Sequence, residues 1–260
     1  MRIEMTRHPL IINLIPVATL LLVALVSANV SRSEQGQTSK PSARTNNETI
    51  QDKTVRVIYL VSKDREVRAD FQSAMERAIQ ELQKWYGRQL DGPTFKLHHP
   101  VVEVAHSSQS AGWFYSHPNG SNADDWGFNN TLAEAGRLLG ARFNDPHYIW
   151  VIYSDGPGNK GRGTSGVTCL PEDDLLGLVG QHPTQKSPAR WVGGLGHELG
   201  HAFGLPHPAD TTRDADAIMW AGFYGKYPDK AYLTESDKKI LLRSPFFFDG
   251  EGKPVSDAKK

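Results

Sequence analysis

Hydrophobic residues follow two different periods over the first third of the chain. Residues 55–61 are almost all β-branched, aromatic or aliphatic, which predicts a strand that is buried on at least one face. From Val67 to Trp85, apolar residues recur at spacings of three and four, with polar residues between them. Because a helix has about 3.6 residues per turn, this spacing predicts a long helix that packs one apolar face on a sheet.

Four further segments carry a readable pattern. Residues 95–105 indicate a second strand, and Pro100 within it predicts a bulge or a position near a sheet edge, since proline cannot donate to the ladder. Residues 107–122 are rich in Ser, Gly and Asn and predict a surface loop, and a helix is expected around 130–139. The apolar run at 147–153 is the clearest candidate for a central strand.

The two ends of the chain differ in composition from its middle. Residues 1–9 are basic and residues 10–26 mainly apolar, which predicts an export signal over 1–28 with cleavage after Ala28. An uncleaved signal anchor is the alternative, because the apolar run approaches the length that spans a bilayer. Residues 29–53 are polar and predict a disordered linker, so the folded domain is expected at 54–249, followed by a polar tail at 250–260.

Charge and cysteine content limit the classes of partner. The chain of 260 residues carries 29 basic and 29 acidic side chains, so electrostatics does not favour nucleic acid, and a membrane contact is expected only through an uncleaved anchor. Cys169 is the single cysteine, so no disulfide can form within the chain. Together with the export signal, this favours a secreted protein or one of the bacterial periplasm or cell envelope.

One stretch near residue 200 concentrates metal-binding chemistry. His197 and His201 are four residues apart, so on a helix their imidazoles project from one face and can share a cation. Glu198 lies one step round the helix, where it can take a proton from a water on the metal without being a ligand. Gly204 permits a sharp turn, and His207 can then return as a third nitrogen ligand. Three neutral nitrogens and one open position describe a catalytic zinc site.

We predict a helix over 189–203 that carries this stretch, although its glycine content gives it a low helix propensity. It contains Gly193, Gly194, Gly196 and Gly200, each of which costs up to about 1 kcal/mol relative to alanine. We expect metal ligation and close packing against other backbone to offset this cost. A final helix is predicted after Thr234, whose hydroxyl can cap it, with Leu241 packed on the body of the domain.

The pattern H-E-x-x-H-x-x-G-x-x-H, formed by His197, Glu198, His201, Gly204 and His207, resembles that of the metzincin clan of zinc endopeptidases. Met219 stands downstream where these enzymes place a Met-turn beneath the metal. The resemblance implies an α+β fold: a twisted mixed β-sheet with a long backing helix, a zinc-binding active-site helix and a C-terminal helix.

The resemblance also implies a substrate strand and raises a question about a tyrosine. Metzincins bind extended substrate along an edge strand ahead of the zinc helix, and the corresponding segment here comprises Gly166, Val167, Thr168, Cys169 and Leu170. Several relatives carry a tyrosine two residues after the Met-turn methionine. Here that position is Ala221, which leaves Tyr224 and Tyr227 as candidates to reach the metal.

The sequence therefore predicts an exported zinc endopeptidase that acts on a protein or peptide substrate. Glu198 would be the general base, and His197, His201 and His207 would hold one zinc ion. Two alternatives remain open: a zinc hydrolase of a non-peptide amide, such as one in a cell wall, and a zinc-fold binding module without turnover. Neither the substrate preference nor the oligomeric state follows from the residues.

The export signal makes a direct prediction. When the full chain is expressed in a bacterium with a Sec pathway, the exported protein should begin at Asn29, because the small residues before it suit a signal peptidase. N-terminal sequencing of the periplasmic or medium fraction measures this. A product that keeps residues 1–28 and sediments with membranes would support the anchor instead.

Overall fold

The structure is a computed structural model and describes residues 53–256. The predicted export signal at 1–28 lies outside the described residues, as do residues 29–52 of the predicted linker and the last four residues of the tail. Across the part of the chain that is described, no helix is both long enough and apolar enough to cross a membrane.

Strands and helices are interleaved through the described residues. The strands are β1 (Thr54–Val61), β2 (Thr94–His106), β3 (Tyr148–Ser154), β4 (Arg162–Thr164), β5 (Val167–Leu170) and β6 (Phe247–Phe248). The α-helices are α1 (Ala69–Gln89), α2 (Trp113–Ser116), α3 (Trp126–Leu139), α4 (Glu172–Leu178), α5 (Pro188–Ala202) and α6 (Glu235–Leu241). A short 3-10 turn at Gly222–Tyr224 follows α5.

The strands form one mixed sheet in the order β4-β5-β3-β1-β2-β6. The central pairs are parallel, and only β4 on β5 and β6 on β2 are antiparallel. The long helix α1, the motif helix α5 and the C-terminal helix α6 are present where the pattern predicted helices. The α+β fold class with a mixed sheet is confirmed.

Helices cover both faces of the sheet, so its central strands are buried on both sides. Along β1, Val57 and Tyr59 pack into a core that includes α1 and α5, whereas Ile58 and Leu60 pack into a second core with α2 and α3. This explains why residues 55–61 read as a nearly continuous apolar run. Val67 was expected in the apolar stripe of α1, but it precedes the helix and is 41% exposed.

Pro100 causes the predicted irregularity in β2. The strand pairs with β1 up to Leu97 and again from Val102, and the register shifts between the two segments. The residues between them make no ladder contact with β1, so the missing N–H of proline costs no hydrogen bond there. The position near an edge is also confirmed, because only the two-residue strand β6 lies outside β2.

The segment predicted as the edge strand, Gly166 to Leu170, lies inside the sheet, and that expectation is wrong. Strand β5 pairs with β3 on one side and with β4 on the other, and all four of its residues are buried. A tight turn through Ser165 and Gly166, both with positive φ, folds β4 back along β5. The edge strand beside α5 is therefore β4.

The predicted surface loop at 107–122 is partly structured. It contains the single-turn helix α2, whose Phe114 is fully buried in the second core. The buried amide of Asn130 donates to the carbonyls of Phe114 and His117, which attaches this segment to α3. Serine and glycine content alone therefore did not reveal an anchoring aromatic side chain.

An aromatic cluster joins the C-terminal segment to the end of α5. Phe247 is fully buried, and its ring centroid lies 4.9 Å from that of Phe203, 6.1 Å from Phe95 and 6.1 Å from Tyr86. Helix α6 precedes this cluster and begins with the predicted cap, in which Thr234 and Asp237 exchange hydrogen bonds. The C-terminal segment thereby holds the helix that carries the histidines.

Replacing Phe247 by alanine should destabilise the domain by about 3–5 kcal/mol, because it leaves a cavity among three rings that cannot collapse easily. Denaturant unfolding followed by tryptophan fluorescence measures the change. Phe143→Ala, at a phenylalanine that is 45% exposed, is the matched control and should cost about 1 kcal/mol or less. Equal effects of the two substitutions would contradict the role assigned to the cluster.

Candidate metal centre

The glycines of α5 allow other parts of the chain to lie against the helix. A side chain at Gly200 would overlap the Sδ of Met219, and one at Gly196 would meet Leu82 of α1. Gly193 likewise faces Phe223 and Tyr227. Residues that cost helix stability therefore permit close packing, but the atoms that lie against these glycines belong to side chains and not to other backbone as the sequence led us to expect.

The three predicted histidines lie together at the C-terminal part of α5. The Nε2 atom of His201 is 3.2 Å from Nε2 of His197 and 3.0 Å from Nε2 of His207. One ligand atom from each residue lies within 4.8 Å of the others. Nitrogens bound to a tetrahedral zinc at roughly 2.0–2.1 Å are about 3.4 Å apart, so the observed spacing is close to that of a ligated set.

Backbone carbonyls determine which nitrogen of two imidazoles faces the centre. Nδ1 of His197 donates to the carbonyl of Ile218 over 2.8 Å, and Nδ1 of His201 donates to the carbonyl of Leu205 over 2.8 Å. With their protons on Nδ1, both rings present an Nε2 lone pair to the same point. Lone pairs at this separation repel one another, and a cation between them removes the repulsion.

Burial keeps these imidazoles in the neutral form that a metal requires. The pKa of His197 is lowered to about 4, mainly by burial and also by the neighbouring His201 and His207, against the hydrogen bond to Ile218. The pKa of His201 is also lowered, mainly by burial. Neither ring has to lose a proton near neutral pH before it can bind a metal.

The donor set fits zinc better than a hard cation. It consists of three neutral imidazole nitrogens, and the ring of His207 is exposed, so the centre opens to solvent on that side. Calcium and magnesium prefer oxygen ligands, whereas three histidines with one open position are typical of catalytic zinc. The residues therefore fit the metal that the sequence resemblance implies.

Glu198 is half-buried beside the histidines and lies next to strand β4. Burial raises its pKa to about 8, and the negative charge of Asp174 acts in the same direction. The backbone amide of Gly163 and the charge of Arg162 lower it. A divalent cation on the histidines would also favour the carboxylate. The group is thus placed where its proton affinity can be tuned around neutral pH.

The turn after α5 returns His207 to the centre. Gly204 has a φ of +92°, a conformation that a residue with a side chain adopts only with strain. Leu205 then donates from its amide to the carbonyl of Gly200, which holds its own carbonyl under His201. Met219 is fully buried beneath this part of the helix, against Gly200.

Other candidates near the metal centre have different roles in the structure. The carboxylate of Asp210 accepts the backbone amides of Thr212 and Arg213, so it stabilises a turn and is not part of the ligand cluster. The hydroxyl of Tyr227 donates to Glu81, away from the histidines. Tyr224 is 62% exposed and lines a cavity that also contains His197 and Glu198.

Strand β4 runs directly over the helix at Glu198. A side chain at Gly163 would overlap the backbone carbonyl of Glu198, so only glycine allows this approach. Two hydrogen bonds hold the neighbouring strand on α5: Thr168 Oγ1 donates to the carbonyl of Glu198, and the amide of Gly166 donates to that of Ala202. The sequence had left β4 unassigned, and its glycines were the available signal.

The sequence also missed two charged residues near the centre. Asp174 on α4 and Arg190 on α5 line the cavity that contains Glu198. Arg190 stands between apolar residues, whereas Asp174 follows two other acidic residues, and no spacing in the sequence relates either residue to the histidines. Their proximity results from the packing of α4 against α5.

Solved structures identify the class of fold. The catalytically inactive form of OgpA from Akkermansia muciniphila, in complex with an O-glycopeptide substrate, matches with a TM-score of 0.54 and 17% identity over 75% of this chain. Wild-type OgpA matches with a TM-score of 0.51 and 19% identity over 75% of this chain. The chain spans about 61% of the length of these OgpA chains. This similarity shows a shared fold.

A further match is archaemetzincin from Methanopyrus kandleri, with a TM-score of 0.38 and 16% identity over 73% of this chain and 94% of that chain. The fold assignment rests on OgpA, whose TM-scores are higher. No protein-family model and no curated protein matches the sequence.

Removing the third imidazole should weaken zinc binding. The His207→Ala variant is expected to bind zinc at least about 100-fold less tightly, because even the loss of a group that only orients a ligand costs about 10–100-fold. Competition with a coloured chelator measures the affinity. His106→Ala, at an exposed histidine outside the cluster, is the control and should bind zinc as the parent does. Unchanged affinity of His207→Ala would contradict the assigned ligand set.

Proposed function

We propose that this protein is an exported, zinc-dependent endopeptidase. One observation carries the proposal: three imidazole Nε2 atoms converge within ligand distance of one another, and the carboxylate of Glu198 follows the first of them on the same helix. Three nitrogens leave one position of a tetrahedral ion open for chemistry. Export is supported by the basic and apolar segments of residues 1–28.

His197, His201 and His207 would hold the zinc ion, and Glu198 would act as general base. When bound, zinc lowers the pKa of a water to near neutrality and polarises the carbonyl of the scissile bond. Glu198 takes a proton from the attacking water and returns it to the nitrogen of the leaving amine. Ile218 and Leu205 keep two imidazoles in the tautomer that this chemistry requires.

Strand β4 offers a place for extended substrate. It is the outermost strand of the sheet on the side of α5, so its outer backbone groups have no strand partner among the described residues. A peptide that pairs with β4 would pass over Glu198, because Gly163 lies against the backbone of that residue. The substrate strand expected at Gly166 to Leu170 is thereby reassigned to Arg162–Thr164.

The complex of OgpA supports a peptide as substrate. That structure holds an O-glycopeptide, which is a peptide bearing a sugar, on a related fold. Because this chain is 17% identical to OgpA and spans 61% of its length, sugar recognition is not transferred with the fold. We therefore propose peptide-bond hydrolysis as the activity.

Substitution of Glu198 by glutamine tests the mechanism. The variant should retain one zinc per chain, because Glu198 is not a ligand, and should cleave about 100- to 10,000-fold more slowly. The assay uses a library of peptides with blocked ends, read by mass spectrometry with and without a chelator. Blocked ends exclude exopeptidases, and Glu76→Gln, an exposed change on α1, is the matched control.

Each part of the proposal has its own contradicting result. Cleavage by Glu198→Gln at the parent rate would contradict its role as general base. Cleavage that persists with the chelator would contradict metal dependence. A zinc-loaded parent that cleaves no peptide would contradict the peptidase activity and favour a non-peptide amide hydrolase or a silent binding module.

A further inference from the structure

A small cavity lies directly beside Glu198. Its volume is 280 Å³, and it is lined by residues of α4, α5, the segment ahead of β4 and the 3-10 turn at Gly222–Tyr224. His197 and Glu198 form one wall, so whatever enters the cavity is adjacent to the metal centre. Ligand pockets for small molecules typically measure about 300–1,000 Å³, so this one suits a single side chain or a single sugar ring.

Asp174 places a buried carboxylate at this cavity. The residue is 7% exposed, and it is one of the residues that line the cavity. Burial raises the pKa of Asp174 to about 7, against the positive charge of Arg190. Desolvation of a carboxylate is costly, and a hydrogen-bond donor on an occupant of the cavity would offset that cost.

Arg190 supplies positive charge to the same cavity without neutralising Asp174. Its guanidinium lies over the rings of Phe223 at 4.6 Å and Tyr224 at 4.5 Å, and over Trp191 at 5.1 Å. The positive charge of Arg190 lowers the pKa of Asp174 but does not overcome the larger effect of burial. The aromatic rings hold the guanidinium in place, so the cavity presents both an acceptor and donors.

The combination of charges selects the chemistry of the occupant. Lys160 also lines the cavity. A cationic occupant would be repelled by Arg190 and Lys160, and an anionic occupant would be repelled by the carboxylates of Asp174 and Glu198. A neutral group with several N–H or O–H donors can satisfy Asp174 and also accept from Arg190. An apolar group would leave the carboxylate of Asp174 unpaired.

We propose that Asp174 is a specificity-determining residue, and that its cavity receives a neutral, hydrogen-bonding side chain next to the scissile bond. The inference rests on the proposed peptidase function. Two sources carry this chemistry: the amide of Asn or Gln, and a sugar attached to Ser or Thr. Asp174 accepts a donor of this group, and Arg190 donates to one of its oxygens.

The test compares end-blocked peptides that differ only in residue X beside the cleaved bond. X is Gln, Asn, Thr, Thr bearing one O-linked N-acetylhexosamine, Leu, Lys or Glu. The parent should show the highest kcat/KM for an amide or for the sugar-bearing residue, and which of these is higher identifies the source. In Asp174→Leu, the ratio of the preferred peptide to the Leu peptide should fall about tenfold or more.

Two variants isolate the effect of Asp174. Asp174→Asn keeps a hydrogen-bonding group and should retain most of the preference. Asp173→Asn removes the same charge at a neighbouring residue that does not line the cavity, and it should leave the ratio unchanged. Because each ratio is measured within one variant, partial unfolding does not alter it. Zinc content and thermal melting of every variant are recorded alongside.

The results that would refute the role of Asp174 differ from the results that would refute peptidase activity. A parent preference for Leu, Lys or Glu, or a ratio that Asp174→Leu leaves unchanged, would overturn it. Calorimetry measures the binding of the same peptides to zinc-loaded Glu198→Gln, and this measurement does not require cleavage. If the parent cleaves nothing, stronger binding of the neutral polar peptides that Asp174→Leu abolishes still supports the cavity assignment, and equal binding of all peptides refutes it.

Discussion

The geometry of the candidate metal centre depends on two backbone carbonyls that the fixed letters of the motif do not specify, one at a variable position within it and one beyond it. The carbonyl of Ile218 holds the proton of His197 on Nδ1, and the carbonyl of Leu205 does the same for His201. Each bond determines both the tautomer and the rotation of a ring. Ile218 is itself bound through its amide to Tyr232, so the orientation of the first histidine extends to the segment before α6. The arrangement of the candidate metal ligands is therefore linked to the folding of the C-terminal third.

Close approach of backbone to α5 is the second constraint. Glycine at 163 brings β4 onto the helix at Glu198, and glycine at 200 brings Met219 beneath it. Helix α5 has low intrinsic propensity at its own four glycines, so its stability depends on burial against α1 and the aromatic cluster around Phe247. The same helix therefore has an unfavourable local propensity and a favourable contribution from tertiary packing, a combination that is common at functional sites.

Sequence reasoning succeeded where the cause is local and failed where it is not. The helical period placed His197 and His201 on one face, and the missing N–H of Pro100 predicted a shift in β2. The edge strand was misassigned, because the turn at Ser165 folds β4 back along β5. Strand β4 therefore pairs with the outer side of β5 and takes the edge position. Strand order is a non-local property, and a residue's place in a chain does not specify its neighbours across a sheet.

The sequence by itself determined the donor set of the candidate metal centre, since His197 and His201 stand at helical spacing and Gly204 permits the turn that returns His207 to them. It also determined where the buried strands and the backing helix α1 lie. Only the tertiary structure decided which strand flanks the site, and which charges face its cavity. Asp174 and Arg190 belong to different helices, and their meeting beside Glu198 follows from the packing of α4 on α5, which no local pattern records.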